Sequence, residues 1–317
     1  MADVNLGQIA ATTLDNYQKT MVDNIFKKHV LLDHLKNKSG TKMFDGGRKL
    51  VAPLMYGTNS TVMKFSGTDT LNNSYQEGID AAEYDWAFYN VSIVISKTDE
   101  AKNKGRSAIV NLLKAKILQA ENSLSESING DLMTGNAANG LVGLDSLIGT
   151  TNEVGGINGS TYSWWRSTVD SIAEVLSFSD MRAVKNDCRN GAGGSRPTLI
   201  LGAQNMYEKM FSLTTAMYGF NPNVKSSEGK RLADASFEVL EFEGIPVSYD
   251  EAIADGVVYF INANNYKLGI LEGWNFETIN KPEPSNAHVT IKDIVFGGAS
   301  FTDRRKSLGK MTAKTIS

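Results

Sequence analysis

The stretch from Gly57 to Glu83 constrains this chain most: it is rich in Gly, Thr, Asn and Ser and has no helical period. Connections in compact domains usually run to about 4–6 residues, and structureless ones beyond about 12–15 are functional or disordered. Its large apolar side chains, among them Val62, Met63, Phe65 and Tyr75, are scattered. A long two-stranded projection with a polar tip accounts for such a segment. A ribbon of that kind has too little surface to bury by itself, so it needs a partner to lie on.

The flanks support a projection. Asp45-Gly46-Gly47 breaks the preceding pattern, and Leu50 to Tyr56 has strand character, with Pro53 demoting it to an edge or bulged strand. On the far side, Ala87, Tyr89, Val91, Ile93 and Ile95 alternate with Asn90, Ser92 and Ser96, the period of two that marks a half-buried strand.

Two helices are legible. Ile9, Thr13, Tyr17, Met21 and Ile25 recur every four residues, predicting a helix from Ile9 to about Lys36 whose stripe must bury on its own core or on a neighbouring subunit. The strongest pattern is Ile109, Leu113, Ile117, Ala120, Leu124 and Ile128. A helix from Arg106 to Asn129 is about 36 Å long, a rod able to back a sheet. Gly130 and Gly135 lie near its end, where helix stops belong.

Residues 134–160 read as loop with one or two short strands. Next come a helix from Ser179 to Asn190, a flexible Gly191 to Gly194, a strand from Thr198 to Leu201 and a helix from Gln204 to Leu213. Four short strands follow, Phe237–Phe242, Ile245–Tyr249, Val257–Ile261 and Tyr266–Leu271, punctuated by Gly244 and Gly256. The end, Ala287 to Phe301, reads as a long strand interrupted at Gly297-Gly298. The class is mixed α+β.

With 41% hydrophobic and 21% charged residues in 317, the chain has enough apolar material for one large domain or two modest ones. Met1 to Gly7 lacks the basic and apolar regions of a secretory signal, and no apolar run approaches the roughly 18 residues of a membrane span. The expectation is a protein made in the cytoplasm, without a membrane partner. A net charge of −3 is not the footprint of a dedicated nucleic-acid binder. Two basic segments stand out: residues 27–49, and the tail from Phe301 with Arg304, Arg305, Lys306, Lys310 and Lys314. They read as solvated faces, with contact to phosphate or an acidic partner as the alternative.

Chemistry is hard to find. His29, His34 and His288 have no metal-ligand spacing, and His29 and His34 do not share a helix face. Gly229-Lys230 is followed by Arg231 and so fails as a phosphate cradle; Gly191 to Arg196 fails as a dinucleotide fingerprint. Cys188, the single cysteine, excludes an internal disulfide and reads as a small buried side chain. Glu241 and Glu243 read as solvated strand and turn charges. No cofactor, metal or catalytic residue is expected, and the chain is read as not an enzyme.

The order of parts, a terminal helix, a long projection, a long helix, Gly-rich loops and an α/β region returning as a long strand, resembles the Hong Kong 97-like fold of tailed-bacteriophage major capsid proteins. Phe44-Asp-Gly-Gly47 with Leu50 to Tyr56 is similar to the entry of that family's extended loop, Phe65 to Leu71 to its tip, and Trp86 to Ile95 to its returning strand. Asn103-Lys-Gly105 leads into a match for the spine helix. Val154-Gly-Gly-Ile157 and Ser160 to Arg166 resemble a segment of one branch of phage capsid proteins, with Gly159 standing where a basic residue is usual. Phe237 to Val247 and Val257 to Asn262 extend the similarity, which covers roughly residues 40 to 305.

The resemblance implies an N-terminal arm over 1–40, an extended-loop hairpin over 41–96, a peripheral domain over 97–150 and 272–317, and an axial domain over 151–271. It implies a shell subunit that assembles with itself as pentamers and hexamers into an icosahedral capsid, made in the host cytoplasm and ending in the virion. Inter-subunit contact is expected at Tyr56, Phe65 and Tyr75, and hinges at Gly130, Gly135, Gly193 and Gly194. Implied partners are a scaffolding protein, a portal protein, a decoration protein and double-stranded DNA held by nonspecific contacts. No covalent Lys–Asn lock is matched, so noncovalent stabilisation is expected. The alternatives are an encapsulin-like compartment and a soluble enzyme with an unrecognised site.

Overall fold

The computed structural model describes residues 29–97, 106–135, 139–189, 195–218, 239–282 and 288–316. The expected helix from Ile9 falls mostly outside them, as do Gly193 and Gly194. Its end is seen as α1 (Val30–Asn37), which buries Leu31, Leu32 and Leu35.

The chain continues through β1 (Thr41–Phe44), β2 (Leu50–Met55), β3 (Ile79–Tyr84), β4 (Ala87–Ser96) and the long helix α2 (Arg106–Thr134). A short helix α3 (Leu144–Leu147) and the hairpin β5 (Glu153–Val154) and β6 (Ile157–Asn158) follow, then β7 (Thr168–Asp170), α4 (Phe178–Asp187), β8 (Leu199–Gly202) and α5 (Gln204–Tyr218). The remainder is strand: β9 (Leu240–Phe242), β10 (Ile245–Tyr249), β11 (Val258–Ile261), β12 (Tyr266–Asn280), β13 (Val289–Thr302) and β14 (Gly309–Met311).

Two larger sheets organise these elements. One has the order β1-β12-β13-β4, the other β7-β14-β11-β8-β10-β9. Helix α2 packs on β4, α4 on β7 and β14, and α5 on β8 and β10. The buried apolar side chains form a continuous cluster. Polar bonds join the parts: Asn129 of α2 donates to Asp250, the Tyr84 hydroxyl donates to the Thr302 carbonyl at 2.9 Å, and His34 Nε2 meets Thr198 Oγ1 at 2.9 Å.

Helix α2 runs through Gly130 and stops before Gly135, several residues past the expected end. Packing explains this: Leu132 and Met133 are fully buried, and their burial outweighs the roughly 1 kcal/mol cost of an internal glycine. Helix α4 starts at Phe178 because Ser177 caps it, its hydroxyl accepting from the Asp180 N–H at 3.3 Å. Between β9 and β10, Glu243 and Gly244 both have positive φ, as a two-residue turn pairing Phe242 with Ile245 requires.

Two expectations about the long strands need correction. Strand β13 is not interrupted at Gly297-Gly298, which pair with Phe88 and Ala87 of β4. The irregularity lies in β12, between Ile270 and Asn275, so β12 itself extends well past the expected end at Leu271. The expected boundary at 271/272 therefore cuts through one strand. Nor does the chain end belong wholly with the four-stranded sheet, because β14 pairs with β7 and β11 in the six-stranded one.

Two cations of the basic tail, Arg305 and Lys314, are also not part of a solvated face. The Arg305 guanidinium is buried, with Nε donating to the Leu147 carbonyl at 2.9 Å and Nη2 to the Gly149 carbonyl at 3.1 Å and Asn152 Oδ1 at 2.6 Å. Lys314 is buried between Asp170 at 2.9 Å and Glu174 at 2.7 Å. Both cations serve internal packing.

Candidate assembly surface

The projection is a two-stranded ribbon at its base and irregular beyond it. Strands β2 and β3 pair from Leu50↔Tyr84 to Met55↔Ile79, and Pro53 is tolerated because both are edge strands. The inner face, Leu50, Ala52, Leu54, Ala82 and Tyr84, is buried against the body. On the outer face Val51, Met55 and Ile79 are exposed, the last two 83% and 76% and directly paired, with Glu83 opposite Val51.

Beyond Gly57 and Gly78 the two arms carry no strand pairing, and short polar bonds shape them. Ser60 Oγ donates to Gln76 Oε1 across the arms at 2.7 Å, Asn59 Oδ1 accepts from the Thr61 N–H at 2.8 Å, and Asp69 closes the tip by accepting from the Ser66 N–H at 2.7 Å. These bonds explain why the stretch is rich in Ser, Thr, Asn and Asp, whose short side chains stabilise turns. Its apolar side chains point outward: Val62 is 84%, Phe65 68% and Tyr75 87% exposed.

Of the residues expected at an inter-subunit contact, Phe65 and Tyr75 are exposed in the single chain, while Tyr56 is partly used within it. Its ring stacks on Trp164, centroids 4.7 Å apart and planes 11° from parallel. Val51, Met55 and Ile79 were not singled out in the sequence, although the exposed face follows from alternation once the inner face is known.

The ribbon's base is buttressed by residues 153–166. The Glu83 N–H donates to the Gly155 carbonyl at 3.0 Å, Trp165 Nε1 donates to the Val154 carbonyl at 3.0 Å, and Arg166 holds the carbonyls of Gly159 and Ser160. Gly155 has φ +63, and a Cβ there would lie 2.7 Å from the Ala82 Cβ, so no other residue fits this seam. Gly159 is buried, and a Cβ would approach the Thr150 carbonyl oxygen to 2.8 Å.

Between ribbon and buttress lies a cleft of about 730 Å³. Asp80, Glu83, Asp85 and Glu153 line it against one cation, Lys49, which sits 3.2 Å from Glu83 and 3.7 Å from Asp85. Of the proposed hinge residues, Gly130 is inside α2 with open space where a Cβ would stand, and Gly135 is tightly packed, its Cβ position 2.3 Å from the Asp131 carbonyl oxygen.

Among the described residues, the other candidate groups are engaged in the fold. Burial pushes the Cys188 thiol up to about 12, leaving it a protonated side chain in the core. Glu243 is held below the usual carboxylate range by hydrogen bonds from Lys185 and Arg182. Among the described residues no group of His, Cys, Asp or Glu is arranged to hold a metal ion, and no helix is long and apolar enough to cross a membrane.

No family model matches the sequence and no curated protein matches it. Solved structures do. The capsid asymmetric unit of cyanophage A-1(L) is 19% identical, with a TM-score of 0.66 over 87% of this chain and 90% of that one. The fold is the Hong Kong 97-like phage capsid fold. The capsid of an empty GTA particle gives a TM-score of 0.54 at 9% identity, covering 88% of this chain and 96% of that one. The capsid of cyanophage P-SCSP1u gives 0.53 at 13% identity, covering 87% and 86%. The ribbon with its tip and α2 cover the stretches expected as the extended loop and the spine helix, and the exposed apolar side chains of the ribbon and tip make the candidate assembly surface.

Proposed function

We propose that this chain is a major capsid protein, the subunit of an icosahedral shell enclosing a phage genome. The single observation that carries the reading is the extended loop: a capsid-fold projection whose Met55, Val62, Phe65, Tyr75 and Ile79 are exposed in the single chain. Several large apolar side chains left exposed on one projection point to an interaction surface. The occupant we assign is a second copy of the chain, and the contact is heterologous, loop on neighbouring body, closing as a ring.

Rings of five and six copies are proposed, in keeping with the GTA particle capsid, whose structure was computed with C5 symmetry. The encapsulin-like alternative is not favoured, since the similar capsids named are from phages and a GTA particle. The role is structural and not catalytic. Scaffolding, portal and decoration proteins and nonspecifically held double-stranded DNA complete the proposed partners, and the virion is the proposed location.

The proposed division is arm, extended loop, peripheral unit around the spine helix and the four-stranded sheet, and axial unit around the six-stranded sheet. Gly130, Gly135, Gly193 and Gly194 are the proposed hinges between ring geometries. Several modest contacts per subunit, acting together, hold such a shell while allowing misplaced subunits to leave. Sedimentation velocity on the purified full chain tests the reading. Species of five or six copies, or larger closed particles, are expected; a monomer at every concentration, alone and co-expressed with its neighbouring genes, overturns it.

A further inference from the structure

The cleft at the base of the extended loop and the tip of the same loop have complementary chemistry. The cleft carries four carboxylates and one ammonium, and Lys49 is engaged by Glu83 and Asp85, so Asp80 and Glu153 have no ion pair among the described residues. Its lining includes Val154 and Ile157, both buried, and the exposed Tyr162 ring. The tip offers the counterpart. Lys64 is the sole basic residue between Tyr56 and Gly78, is exposed, and is flanked by exposed Met63 and Phe65.

We infer that the Met63-Lys64-Phe65 tip of one copy docks in the cleft of the next, Lys64 approaching Asp80 and Glu153 while the flanking apolar side chains cover Tyr162 and the apolar part of the lining. The inference rests on the capsid reading and gives the loop contact an address. A cleft of about 730 Å³ has room for a lysine and an adjacent apolar side chain. Extended chain from Met55 to Lys64 reaches at most about 30 Å, so the tip can stand well away from the body that carries it. The chain's own tip does not fill the site, because Lys64 is exposed and has no ion pair among the described residues. Donor tip and acceptor cleft are different surfaces, so the contact is head to tail, as ring closure demands. Charge complementarity also fixes the register of a loop whose apolar residues alone would slide.

The test uses full-length chains carrying Lys64→Glu, Glu153→Lys, or both, with sedimentation velocity across a concentration series. Each single reversal is expected to raise the concentration at which half the copies assemble by about tenfold, and the double reversal to return it to within about threefold of the parent. Both positions are exposed, so thermal unfolding of the dilute chains should be unchanged, which separates lost docking from lost folding. Single variants that assemble like the parent, or a double no better than either single, overturn the docking site while leaving the capsid reading intact. A parent chain that never assembles overturns the capsid reading itself.

Discussion

Tyr56 and Trp164 stack face to face, 4.7 Å between centroids, and so tie the first residue beyond β2 to the segment that buttresses the ribbon. An aromatic pair of this geometry contributes about 0.5–1.5 kcal/mol beyond its burial. A double-mutant cycle with Tyr56→Ala and Trp164→Ala, read by urea denaturation, should give a coupling energy in that range. A coupling near zero would mean that the loop is aimed by its strand pairing alone.

The seam at Gly155 should be intolerant. Gly155→Ala brings a methyl group to 2.7 Å from the Ala82 Cβ at a backbone φ of +63. We expect a loss of about 1–3 kcal/mol by denaturant titration. Faster hydrogen exchange at the Glu83 amide, which donates to the Gly155 carbonyl, should accompany it. Unchanged exchange there would place the cost elsewhere.

Arg305 is expected to be the most sensitive of the tail cations. Arg305→Met removes the donor from the carbonyls of Leu147 and Gly149 and from the Asn152 side chain in a buried site. Stability should fall by about 3 kcal/mol or more. Lys306→Met, at an exposed position nearby, should change it by less than about 0.5 kcal/mol. Equal effects would return the tail to a solvated role.

Glu121 of the spine helix gives a pH signature. The carboxyl is buried with one oxygen lacking a hydrogen-bond partner, and burial raises it from 4.5 to about 7. The folded state holds this proton more tightly than the unfolded chain does, so the contribution is fully present below about pH 4.5 and is lost as pH rises to about 7. Glu121→Gln should remove that slope and be more stable than the parent at pH 8 by about 1–3 kcal/mol. Parallel stability curves for the two proteins between pH 4 and 8 would contradict this.

The elements that the sequence predicts well are those with one dominant period: β4 from its alternation and α2 from its stripe. What escaped were features set by tertiary partners. Nothing local tells Leu132 and Met133 that a buried seat carries the helix past Gly130. The bulge was placed at Gly297-Gly298, because glycines mark bulges, while the extra residues lie opposite, in β12. Arg305 and Lys314 look like any basic tail until Asn152, Asp170 and Glu174 are seen around them. The loop was legible as an anomaly of composition, and Phe65 and Tyr75 as its exposed aromatics. Val51, Met55 and Ile79 were not, since which face of a ribbon stays bare depends on what covers the other.

Negative-stain electron microscopy of the full chain, expressed alone and with its neighbouring genes, shows directly whether it builds a closed shell through its extended loop. Uniform polyhedral shells, or rings of five and six subunits, are the predicted result. A discrete monomer or dimer in both preparations would contradict it.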